Sequence, residues 1–143
     1  MNGIKKILCP VEFTEEPNNR LIQWALEIAK TTGGELLLIN VVAGYKEYSK
    51  IPSYEHFLIT INDIAKYNMA DLLKSEQFNE ISVTGKVVHG PVAQTILEVA
   101  KEEKVDLIVM GTHGRAGVEK FLFGSVAQKV VQHSEVPVLT LKP

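Results

Sequence analysis

Gly111-Thr112-His113-Gly114-Arg115-Ala116-Gly117-Val118-Glu119-Lys120-Phe121-Leu122-Phe123-Gly124-Ser125 is the stretch on which the fold turns. The apolar run Leu107-Ile108-Val109-Met110 precedes it and reads as a buried strand, and a helical pattern follows it. Glycines at 111, 114 and 124 let backbone N–H groups approach a ligand with no Cβ in the way. Gly124-Ser125 opens the helix, where free N–H groups and the dipole favour an anion. Strand, glycine loop and helix N-terminus make a phosphate cradle; the competing reading is a long loop with turn glycines. The pattern is neither a Walker A loop, since Gly124 and not lysine precedes Ser125, nor GxGxxG.

Upstream, Ile4 to Val11 holds the continuous apolar run Ile7-Leu8-Cys9-Pro10-Val11, typical of a strand covered on both faces. Thr14 suits an N-cap, with Glu15, Glu16 and Pro17 in the first turn of a helix. Leu21, Ala25, Ile28 and Ala29 recur at helical spacing, Ile22 and Trp24 widen the stripe, and Gly33-Gly34 ends it. Glu35 to Val42 is a second buried strand. Ala43 to Ser53 is an irregular connection carrying Tyr45 and Tyr48, which either cover a ligand or are plain loop tyrosines. A long helix runs from near Tyr54 to Gln77, with Leu58, Ile61, Ala65, Met69, Leu72 and Leu73 on one side.

Ile81 to Val88 reads as a strand near the sheet edge. Gly90-Pro91 starts a helix with proline in its first position, Ile96, Leu97 and Ala100 inward, and Lys101 to Lys104 as a solvated end. Asp106 to Met110 feeds the glycine loop. Gly124 to His133 is a helix burying Val126, Ala127, Val130 and Val131, and Val136 to Leu141 is the last strand. This alternation argues one doubly wound α/β parallel sheet with helices on both faces, and one domain over 1–143. Strand order is not readable from these patterns alone.

Composition narrows the functions. A formal net charge of −2 leaves no basic excess to neutralise nucleic-acid phosphates. Cys9 is the one cysteine, so no intrachain disulfide or thiolate cluster forms, and its apolar surroundings make it a core residue. The short run after Lys5-Lys6 is broken by Pro10, unlike a signal segment, and no apolar segment approaches the ~18 residues of a membrane span. The expectation is a cytoplasmic, soluble protein.

The Gly111-x2-Gly114-x9-Gly124-Ser125 spacing resembles the nucleotide-binding motif of the universal stress protein family, and the resemblance covers nearly the whole chain. It implies the adenine nucleotide alpha hydrolase-like fold, five strands in the order 3-2-1-4-5. That order puts the reversal of winding between the first and fourth strands, where ligands bind in such sheets. The resemblance also implies an ATP- or AMP-binding regulatory protein of the stress response, with Mg²⁺ arriving on the nucleotide. It assigns the triphosphate to backbone at Gly111, Gly114 and Gly124 and to the Ser125 hydroxyl beside Val126. The adenine falls to the backbone at Val41, and base and ribose to Pro10, Val11 and Met110.

Two departures from the family pattern stand out. Glu12 replaces the usual aspartate after Pro-Val, and Ala127 replaces a frequent hydroxyl, which removes one phosphate contact. Arg115 either reaches a phosphate or faces solvent. His113 is either a general base or a loop histidine bonding locally, and the sequence supplies no partner to orient it. His56, His89 and His133 lack metal-ligand spacing, so no metal site of the protein's own is read.

The function expected is nucleotide binding with slow hydrolysis at most and no dedicated catalytic residue. The alternative is a slow ATPase or phosphotransferase using Glu12 or His113. The apolar last strand, uncharged until Lys142, points to a homodimer through residues 136–141, as the resemblance also implies.

Overall fold

The computed structural model describes residues 3–13, 19–44, 50–112 and 123–142. Five strands form one parallel sheet: β1 (Lys6–Pro10), β2 (Glu35–Val42), β3 (Val83–His89), β4 (Leu107–Gly111) and β5 (Val138–Leu141). Their order is β3-β2-β1-β4-β5, as the resemblance implied. The chain winds outward from β1 to β3, then crosses to β4 on the other side of β1. Helices α1 (Asn19–Thr32), α2 (Pro52–Leu73), α3 (Val92–Glu102) and α4 (Ser125–His133) make the crossovers.

Alternation along the strands divides the core in two. Ile7, Cys9, Leu36, Leu38, Leu107 and Val109 pack with α1 residues Ile22, Ala25 and Ala29 and with Met69 of α2. Leu8, Leu37, Ile39, Ile108 and Met110 point the other way, onto Ile96 of α3 and Ala127 and Val130 of α4. Each fully buried Leu or Ile contributes roughly 1.5–3 kcal/mol, so strands buried on both faces must read as unbroken apolar runs. Cys9 lies in this core, fully buried, and burial pushes its thiol up to about 12.

Glycines decide the end of α1. Gly33 takes φ +69°, and the Gly34 N–H donates to the Ala29 carbonyl at 2.9 Å. A Cβ on Gly34 would lie 2.9 Å from the carbonyl oxygens of Ile4 and Lys5. The helix therefore stops where β2 must pass close to the start of β1.

Several sequence expectations need correction. Trp24 is 47% exposed rather than part of the buried stripe, because at 100° per residue it falls off the face carrying Ile22, Ala25 and Ala29. Val131 is 45% exposed, since α4 buries only the side through Ala127 and Val130. Helix α2 begins at Pro52 and ends at Leu73, with a separate 3₁₀ turn at Glu76–Phe78 in place of a helix reaching Gln77.

Pro91 is the N-cap of α3 and not its first helical residue; its ψ of 131° is extended, and its carbonyl accepts from Thr95 N–H at 2.9 Å. The last strand starts at Val138, because the Val136 N–H is taken by Ser134 Oγ at 3.1 Å. Thr14 to Pro17, Tyr45 and Tyr48 lie outside the described residues. Among the described residues no helix is long and apolar enough to cross a membrane.

Candidate functional site

The reversal of winding falls between β1 and β4, which pair directly at Ile7–Leu107 and Leu8–Ile108. Pro10 and Met110 each lie two residues beyond the second pair, so both strands end side by side at the C-terminal edge of the sheet, where such sheets bind ligands. Past Pro10 the chain is still held: Val11 N–H donates to the Ile39 carbonyl at 2.8 Å. The Asn40 side-chain amide donates to the Val11 carbonyl at 2.9 Å, and both residues are buried. A buried amide without a partner costs about 1–3 kcal/mol, so this bond fixes the backbone one residue before Glu12. Glu12 itself is half-buried, two residues past the end of β1.

Val41 stands next along β2, half-buried, paired with Val88 and packed on the α3–α4 side. On the opposite wall Met110 is 5% exposed and Gly111 pairs with Leu141. Thr112, buried, donates its N–H to the Leu141 carbonyl at 2.8 Å and accepts at its own carbonyl from Gly124 N–H at 2.7 Å. Helix α4 thus starts beside the end of β4 although eleven residues separate Thr112 from Gly124.

Gly124 caps α4 with φ −65° and ψ 161°, an ordinary extended conformation, and brings no side-chain oxygen to the first-turn N–H groups. Glycine at this cap keeps a Cβ away from the helix start, so the backbone itself can approach a ligand. Ser125 is exposed at the first helical position, and Val126 is half-buried. Ala127 is buried among Leu8, Ile39, Met110 and Val130, so its methyl serves the core. Among the described residues no side chain caps the first-turn amides and the Ser125 hydroxyl is exposed, an arrangement that suits a phosphate. His113, Gly114 and Arg115 lie outside the described residues.

A groove of about 420 Å³ runs from Ser125 and Val126 along α4 to Pro91, Val92 and Leu97 of α3, with Lys129 and His133 on its rim. A larger, open groove of about 810 Å³ lies at the other end of the sheet, among Lys5, Lys6, Glu35 and Asp106. That end is the N-terminal edge of the strands, where doubly wound sheets do not hold ligands. Several charges in and beside it are paired. Lys6 Nζ donates to Glu103 Oε2 at 2.9 Å and lies 3.6 Å from Glu35, while Lys86 also pairs with Glu103. The hydrogen bonds from Lys6 and Lys86 hold the Glu103 carboxyl down at about 2, and Glu103 in turn raises Lys6. The sequence reading of this segment as a solvated end missed that role for Glu103.

His89 ends β3, with Nε2 2.7 Å from Asn62 Oδ1 of α2; burial and the nearby Lys66 charge lower its pKa. Among the described residues no three His, Cys, Asp or Glu side chains converge as a metal site. Sequence reasoning also missed Asn40 and Thr112. The available signals were a polar residue inside the apolar run of β2, for Asn40, and a hydroxyl residue just past the end of β4, for Thr112.

Comparison with known proteins now bears on this geometry. Residues 3–142 match the model of the universal stress protein family. The chain belongs to that family. Universal stress protein MJ0531 of Methanocaldococcus jannaschii is 31% identical, over 99% of this chain and 84% of its own length. The structure of MJ0577 from the same organism, the subject of a structure-based assignment of biochemical function, superposes with a TM-score of 0.83 at 28% identity, covering 98% of this chain and 96% of that one. A universal stress protein solved in complex with cAMP shares the fold, with a TM-score of 0.61 at 20% identity, covering 98% of this chain and 97% of that one.

Proposed function

We propose that this universal stress protein binds an adenine nucleotide, ATP or AMP, at the C-terminal ends of β1 and β4, and that occupancy sets its conformation or choice of partner in a cytoplasmic stress response. The observation that supports the reading is that β1, leading into the Asn40-held Val11, and β4, leading into Thr112 and the Gly124-Ser125 start of α4, are neighbours at the switch point of the sheet. The base lies against Val41, Pro10, Val11 and Met110. Glu12 accepts from the ribose. The phosphates lie on backbone at Gly111, Gly114 and Gly124 and on Ser125, with His113, Arg115 and Val126 bordering them. Any Mg²⁺ comes with the nucleotide, since this set offers one carboxylate.

Nucleotide binding is supported by the motif and, at the level of the fold, by the relative solved with cAMP. The role in this reading is regulatory, with slow hydrolysis at most. The chain acts as one domain and as a homodimer through β5. Calorimetry with ATP, ADP and AMP tests the reading; the expected Kd is micromolar, about −8 kcal/mol. Absence of heat and of competition up to millimolar nucleotide contradicts it. Mass spectrometry of small molecules released from freshly purified protein identifies the resting ligand, and single-turnover hydrolysis near the ~10 s⁻¹ enzyme median would move the protein to the ATPase class.

A further inference from the structure

Helix α2 carries more apolar surface than its place on the sheet uses. Leu58, Ala65 and Met69 face the core. Beside them runs a second stripe: Tyr54 is 44% exposed, Phe57 56%, Ile64 53% and Tyr67 71%, with Ile61 half-buried between them. Tyr54 and Phe57 already meet edge to face, ring centroids 6.5 Å apart. The spacing 54, 57, 61, 64 is the three-four-three of a helix–helix seam. Exposed rings and isoleucines in a row are what a soluble surface avoids and an interface uses.

We propose that this stripe pairs with the same stripe of a second copy, the two α2 helices antiparallel about a two-fold axis. The stripe is self-complementary. About its centre between Thr60 and Ile61, Phe57 is placed symmetrically with Ile64, Tyr54 with Tyr67, and Lys50, just ahead of the helix, with Asp71. In an isologous contact residue i meets j and j meets i. Phe57 of one copy therefore packs on Ile64 of the other, the tyrosines close both ends, and each Lys50 reaches an Asp71 carboxylate. Both are exposed, whereas Glu55, Asp63 and Lys66 lie around the helix away from the seam. A parallel pairing would set Lys50 beside Lys50 and Asp71 beside Asp71. The paired stripes bury roughly 1,000–1,200 Å² in total, the lower end of specific interfaces, so the contact is reversible. It lies on α2 and is separate from both β5 and the nucleotide crevice.

Thiol crosslinking reads the contact directly. Cys9 is buried, so Thr60→Cys places one reactive thiol beside the two-fold axis, and Glu98→Cys on exposed α3 controls for collision. With a short bis-maleimide, Thr60→Cys is expected to crosslink well above the Glu98→Cys level. Adding Phe57→Glu should lower the yield at least tenfold. Adding Asp71→Lys should lower it about two- to fivefold, and Lys50→Asp with Asp71→Lys should restore it. All these sites are solvent-facing, so circular dichroism and Tm should match the parent. A Thr60→Cys yield equal to the control, or one indifferent to Phe57→Glu, overturns the proposal. So does flotation of the parent with lipid vesicles that Phe57→Glu abolishes, which would assign the stripe to a membrane surface.

Discussion

The Gly124 N–H donates to the Thr112 carbonyl at 2.7 Å. One hydrogen bond therefore pins the exit of the motif loop to its entry, and the Thr112 N–H passes the connection on to Leu141 of β5 at 2.8 Å. Closing a loop of this length costs entropy, and the sheet meets that cost before any ligand arrives. The start of α4 is consequently held over the end of β4, where the phosphates are proposed to lie.

Ser125→Ala tests that site through its side chain. The hydroxyl is exposed at the helix start, and a hydrogen bond to a charged phosphate contributes ~1.5–3 kcal/mol. ATP affinity measured by calorimetry should fall roughly 10- to 150-fold, with AMP affected less if the contact is beyond the α-phosphate. Stability should change by about 1 kcal/mol or less, because Gly124 and not Ser125 is the cap. An ATP affinity within twofold of the parent would remove Ser125 from the phosphate ligands.

Gly124→Ala tests the backbone approach. The φ of −65° accommodates alanine, so no strain penalty is expected and Tm should hold. The new Cβ instead stands between phosphate and the first-turn amides. Nucleotide affinity should drop about tenfold, roughly one lost charge-assisted hydrogen bond. A fall in Tm with unchanged affinity would reverse the assignment, making the glycine structural.

Asn40→Leu leaves the buried Val11 carbonyl without its 2.9 Å donor. Denaturant unfolding should show a loss of about 1–3 kcal/mol. Because the freed segment carries Glu12, nucleotide affinity should also fall, and analogues lacking a ribose hydroxyl should lose less than ATP does. Equal losses for ATP and the deoxy analogues would separate Asn40 from the ribose subsite.

Glu103 predicts a pH dependence. Its carboxyl is held at about 2 by hydrogen bonds from Lys6 and Lys86, below the ordinary 4.5. A depressed folded-state pKa stabilises above the unfolded value, and that contribution is lost as pH falls from about 4.5 to about 2. Glu103→Gln should therefore be less stable than the parent at neutral pH, and the two unfolding curves should converge toward pH 2. Parallel curves across that window would show that the ion cluster contributes nothing to folding.

Strand β5 is an edge of the described sheet, and every residue in it is partly exposed. In the proposed homodimer, pairing with its copy would satisfy the backbone groups of this edge and cover Leu139 and Leu141. Light scattering at micromolar concentration, in a Phe57→Glu background that silences α2, should give a dimeric mass. Thr140→Lys should halve it, since a lysine on an edge strand blocks pairing. A monomeric parent in that background would contradict the β5 contact.

Much of this was legible before any coordinates. The runs Ile7-Leu8-Cys9 and Leu107-Ile108-Val109-Met110 announce strands buried on both faces, because only such strands can carry apolar residues at every position. Gly33-Gly34 announces the end of α1, since αL geometry and a backbone contact both exclude a side chain there. Trp24, Val131 and the stripe from Tyr54 to Tyr67 were misjudged or left unmarked. Hydrophobicity says that a side chain can be buried, but neighbours decide whether it is.

The sequence by itself thus determined the elements, their alternation and the glycine-serine signature, which are local properties of spacing and backbone freedom. Tertiary structure decided that Val11 and Thr112, 101 residues apart in sequence, follow neighbouring strands at the same edge of the sheet. It also decided that Asn40 fixes one wall and that Glu103 is held by two lysines. Parallel pairing is non-local: which strand lies beside β1 depends on how both layers of helices pack together, and no window of residues contains that sum.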